Sequence, residues 1–95
     1  MEIKDNQFSR QFEITVEGKM MSIEYSRQER KLFLTRINVP EGVDCDTIVF
    51  DFLSAILDDA LEKKLKVVPV HPKAAAFFRK NSAKYKELLP PGLRL

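Results

Sequence analysis

Apolar and polar residues alternate at three places in the first forty positions. Phe12, Ile14 and Val16 alternate with Glu13 and Thr15, which predicts a half-buried strand. Glu17-Gly18-Lys19 supplies a turn, and Met21, Ile23 and Tyr25 resume the alternation, so the two runs read as an antiparallel hairpin. Ser26 to Arg30 is a charged turn. Leu32 and Leu34 on one face, with Phe33, Thr35, Ile37 and Val39 on the other, predict a third, central strand. Pro40 ends it. Residues 1–10 show no such period and read as a frayed lead-in.

The period then changes. Ile48, Val49, Phe52, Leu53, Ile56, Leu57, Ala60 and Leu61 recur at helical spacing and make one apolar stripe. Asp51, Asp58, Asp59 and Glu62 line the polar side, and Lys63 and Lys64 suit the negative end of the helix. Asp44 or Asp46 is a good N-cap for it. Phe50 stands off the stripe, and the pattern names no contact for it. Leu65 to Val70 is a short β-branched run fit for a buried strand. Pro72 fits the first position of a second helix, which makes His71 its N-cap or the neighbour of the cap. Asn81-Ser82 interrupts that helix. A last helical turn from Ala83 to Leu89 stops at Pro90-Pro91-Gly92. The predicted order is β-β-β-α-β-α-α, an α/β chain with a mixed sheet in one domain. Its strand–helix–strand unit implies parallel pairing, and such units favour ligands at strand carboxyl ends and first helical turns.

Composition narrows the setting. The chain has 95 residues, 44% hydrophobic and 32% charged, which suits one globular core. No window reaches the ~20 apolar residues of a membrane-spanning helix, and the charged start MEIKDNQFSR does not read as a signal peptide. One cysteine excludes an internal disulfide and suits a reducing, cytoplasmic setting. One cysteine and one histidine do not make a zinc site, so no metal is expected. The net charge of +2 hides an uneven distribution. Seven acids and no base lie between Glu41 and Glu62, whereas nine Lys or Arg face only Glu87 from Lys63 onward. Without interleaved aromatics, this basic third reads as solvated helix faces rather than a nucleic-acid footprint.

The segments Lys66-Val67-Val68-Pro69, Ala76-Phe77 and Tyr85-Lys86-Glu87-Leu88-Leu89 carry a family signal. With their spacing from Val39-Pro40, they make the chain resemble the small stand-alone members of the Gcn5-related N-acetyltransferase (GNAT) superfamily. The likeness runs from Phe12 to Leu89. It implies a single GNAT-like domain that moves an acetyl group from acetyl-CoA to the amine of a small molecule or a protein lysine. It also assigns positions. Val43, Asp44, Cys45, Asp46, Thr47 and Ile48 stand where the family cradles the cofactor pyrophosphate, with Lys73 as a further cation. His71 stands where the family carries a cysteine proposed to be catalytic, and a neutral imidazole there could take a proton from the attacking ammonium. Arg36-Ile37 occupy the place of a frequent histidine–threonine pair.

The loop departs from the family pattern. Both glycines that would let backbone approach a phosphate are absent, and Asp44 and Asp46 bring two carboxylates. Two anions within ~5 Å of a diphosphate cost on the order of several kcal/mol unless offset. A helix N-terminus returns only ~1 kcal/mol. Both aspartates equally serve as helix caps, and Cys45 between them reads as an ordinary small residue. Two functions therefore stand side by side: an acetyltransferase, and a non-catalytic GNAT-like binding or regulatory module that has lost CoA binding.

Overall fold

A computed structural model describes residues 2–42 and 46–92. Five strands form one sheet in the order of the chain: β1 Lys4–Asn6, β2 Gln11–Val16, β3 Lys19–Gln28, β4 Lys31–Asn38 and β5 Lys66–Pro69. The first four make an antiparallel meander, and β5 joins β4 in parallel after the helix α1, Asp46–Glu62. Two further helices come after β5, α2 at Pro72–Lys80 and α3 at Ser82–Tyr85, with a 3-10 turn at Lys86–Leu88. The mixed α/β sheet in a single domain agrees with the hydrophobic pattern.

Register explains the core. Phe12 faces Ile23, Ile14 faces Met21, Ile23 faces Ile37, and Leu32 and Leu34 face Val67 and Pro69. Directly paired residues share a sheet face, so every strand buries the same side. Val49, Phe52, Leu53, Ile56, Leu57 and Ala60 of α1 and Ala74, Phe77 and Phe78 of α2 complete that cluster. The other face is polar where Asn38 Nδ2 donates to Ser22 Oγ at 3.0 Å and to Glu24 Oε2 at 2.8 Å.

Four local features differ from the pattern reading. The lead-in contains a strand, because Lys4 to Asn6 pair with Glu13 to Gln11 and Asn6 Nδ2 donates to Glu13. Three residues with no alternating period cannot signal this. Strand β3 continues to Gln28 through the expected charged turn, and only Glu29 and Arg30 connect it to Lys31, with Glu29 at φ 55°. Phe50 stacks on Phe77 of the same chain, with ring centroids 5.5 Å apart. Lys63 and Lys64 lie beyond α1 and cap it. Lys64, at φ 57°, donates its N–H to Leu61 O, and Leu65 donates to Ala60 O. These two bonds form a Schellman closure. The Arg30 guanidinium donates to the exposed carbonyls of Lys63 and Lys64 at 2.6 and 3.2 Å.

Candidate active site

The site is built where β4 and β5 part. Their last pair is Leu34 with Pro69. Leu34 O then accepts the N–H groups of both Val70 and His71 at 3.0 Å, which turns the chain out of the sheet. Strand β4 runs on through Thr35, Arg36, Ile37 and Asn38, and its β5 side has no strand partner among the described residues. Thr35 has no cross-strand partner on β3 either: Tyr25 faces Leu34 and Glu24 faces Arg36. That extra residue is a bulge. It bends β4 and re-aims the residues after it, and Thr35 Oγ1 is held by a bond to Glu24 O at 3.2 Å. Sequence pattern does not reveal this bulge, since Thr35 suits either face of a regular strand.

His71 is the N-cap of α2, in extended conformation at φ −68° and ψ 134°, with Pro72 behind it as the first helical residue. Its Nδ1 accepts the backbone N–H of Lys73 at 3.1 Å. A backbone N–H only donates, so Nδ1 carries no proton and the neutral ring holds its proton on Nε2. His71 thus presents an N–H donor outward, while its one free lone pair caps the helix.

Lys73 reaches back to α1. Its Nζ lies 3.1 Å from Asp46 Oδ1, joining the first turns of the two helices. Asp46 is 78% exposed and Lys73 40%, so the pair contributes little stability, but it matches the Asp46 charge. Thr47 is exposed. Ile48 is half-buried and lines a shallow recess of about 610 Å³ with Ile14, Val16 and Met20. The structure therefore brings Asp46, Lys73 and His71 to adjoining helix starts. Val43, Asp44 and Cys45 lie outside the described residues. Arg36 lies beside a carboxylate of the sheet. Its Nε sits 3.9 Å from Glu24 Oε2, its cross-strand neighbour.

Tyr85 is buried, and its hydroxyl donates to Asp58 Oδ1 at 3.0 Å and lies 3.2 Å from Ser54 Oγ, tying α3 to the polar flank of α1. Lys84 Nζ meets the same Asp58 oxygen at 3.2 Å. That bond, and then Tyr85, raise the Lys84 pKa.

The chain is thus a small α/β domain with a mixed sheet whose parallel strands part beside the first turns of α1 and α2. The family model for GCN5-related N-acetyl-transferases matches residues 11–88, and the chain belongs to that family. Among solved structures, a GCN5-like protein from Staphylococcus aureus, determined by NMR, superposes with a TM-score of 0.72 at 20% identity. The match covers 98% of this chain and 90% of that one, and at this identity it speaks for the fold. A search of curated proteins found no match.

Proposed function

We propose that this protein transfers an acetyl group from acetyl-CoA to a primary amine. The observation that carries the reading is the parting of β4 and β5, which leaves the β5 side of Thr35–Asn38 without a strand partner among the described residues, beside the first turns of α1 and α2. Such an edge offers N–H and C=O groups to an extended ligand as a further strand would. The described residues fit the cofactor in a second respect. The carboxylate of Asp46 is matched by Lys73, so this part of the site adds no net negative charge toward a diphosphate. Asp46, Thr47 and Ile48, with Val43, Asp44 and Cys45 before them, would hold the diphosphate end, with Lys73 as the nearby cation.

Acetyl-CoA would supply a thioester, whose carbonyl carbon takes the amine lone pair while the C–S bond breaks and the thiol departs. Donors fixed in advance favour the negative charge that develops on that oxygen. The Nε2–H of His71 and the backbone N–H groups of the β4 edge are the donors at hand. His71 accepts the amine proton only when its Nδ1 releases Lys73, so a base role requires α2 to give up its cap. The acceptor is an amine of a small molecule or a protein lysine, and a cytoplasmic setting suits the chemistry.

Titration with acetyl-CoA, followed by backbone NMR, tests this. Saturable shifts are expected at Thr35–Asn38, Asp46–Ile48 and His71–Lys73. Asp46→Asn, which releases Lys73, should tighten binding about three- to tenfold, the scale of one charge in a hydrated site. Absence of binding at millimolar concentration would remove the enzyme and favour the module that has lost its cofactor.

A further inference from the structure

The second recess of the sheet lies away from this site. We propose that it binds a small phosphate-bearing ligand. It measures about 410 Å³ and is lined by Gln7, Arg10, Tyr25, Ser26, Arg27 and Gln28. Its origin is a mismatch in strand length. The β2–β3 ladder ends at Gln11 opposite Glu24, whereas β3 continues four residues to Gln28. Arg10, at φ 54°, turns away from that ladder and its carbonyl accepts the Tyr25 N–H at 2.9 Å. Backbone direction repeats every second residue, so the Arg27 N–H points to the same open side, beyond the end of β2.

Among the described residues, the open edge of β3 therefore lies beyond Tyr25, from Ser26 to Gln28, on the side facing away from β5. The unpaired edge of β4 runs from Thr35 toward Asn38, the other way. The two openings are separate, and this inference does not depend on acetyl transfer.

Donor-bearing residues dominate the lining: Arg10 and Arg27 carry guanidiniums, Gln7 and Gln28 carboxamides and Ser26 a hydroxyl. Among the described residues neither Arg10 nor Arg27 forms an ion pair. Asp5, which borders Tyr25, already accepts the Tyr25 hydroxyl at 2.6 Å. Tyr25 stays neutral, since burial and then the Asp5 carboxylate push its pKa up to about 12, and its one O–H is given to Asp5. Two planar guanidinium forks offer more donors than the two oxygens of a carboxylate accept, and they match a tetrahedral oxyanion.

The test is an NMR titration with inorganic phosphate at constant ionic strength, with chloride as the comparison. Saturable shifts confined to Gln7, Arg10 and Ser26–Gln28 are expected with phosphate and not with chloride. Arg10→Gly removes one guanidinium while suiting the left-handed backbone, and Arg27→Gln keeps the side chain long. Each should weaken phosphate binding by about tenfold, as loss of a charge-assisted bond does. Unchanged amide dispersion elsewhere in both variants establishes that the fold persists. Shifts that chloride reproduces, or an affinity that survives both substitutions together, would overturn the proposal.

Discussion

The imidazole of His71 and the backbone of Lys73 are joined by a 3.1 Å hydrogen bond in which the ring nitrogen is the acceptor. This bond starts α2, and it takes up the lone pair that a general base would use. Asparagine can make the same cap with its side-chain oxygen, whereas alanine cannot. His71→Ala should therefore lower stability by about 1 kcal/mol in urea unfolding, with His71→Asn within a few tenths. If acetyl transfer also uses the imidazole as a base, His71→Asn keeps stability and loses about a hundredfold or more in kcat. A variant with full activity and an intact cap would confine His71 to the helix.

Tyr25 makes alkaline stability a readout of the N-terminal strand. Burial and the hydrogen bond to Asp5 raise its pKa from 10.0 to about 12. A raised pKa means that the folded state holds the phenol proton more tightly than the unfolded chain does. Its contribution is complete below pH 10 and is lost as pH rises through about 12. Unfolding followed across this window should show a decline that Tyr25→Phe flattens. Equal slopes in the two proteins would place the decline elsewhere, Lys84 being the next candidate because its pKa is also raised.

Lys64 occupies the left-handed position that ends α1, where glycine carries no Cβ penalty. Its side chain makes no hydrogen bond or ion pair among the described residues. Lys64→Gly should stabilise the protein by about 0.5–1 kcal/mol, the backbone relief exceeding the entropy that glycine adds to the unfolded chain. Calorimetry checks the sign. A lower melting temperature would show that the capping turn needs the lysine stem.

Phe50 and Phe77 form a stacked pair on the flank of the helical layer, with Phe50 37% exposed and Phe77 buried. Phe77→Ala should cost about 3–5 kcal/mol. Phe50→Ala should cost less, because part of its ring already meets water. A double-mutant cycle should return a coupling of about 0.5–1.5 kcal/mol. A coupling of zero would free Phe50 for a contact outside the chain.

Much of the architecture was present in periodicity. Alternation marked β2 and the start of β3, the helical stripe marked α1, and the proline at position 72 marked the start of α2, with His71 at or beside its cap. These signals are local, because a period or a cap involves neighbours within a few residues. Arg36 shows where locality ends. Its partner among several carboxylates is set by the cross-strand register with Glu24, which strand composition does not encode.

The sequence by itself determined most of the residues that turn inward, and it determined the family through the spacing of its strand and helix motifs. Val39 and Val70, which the pattern placed in strands, instead lie beyond the ends of β4 and β5 and are 44% and 55% exposed. Tertiary structure alone decided how far each strand is paired. The edges left open at β3 and β4 arise from differences in strand length and from one bulge at Thr35, quantities that depend on partners distant in the chain. It also decided the state of the site. Lys73 meets Asp46 across 27 positions, and the Nδ1 of His71 is committed to a cap. Charge matching and tautomer depend on distances of a few ångströms, and only the folded backbone sets those.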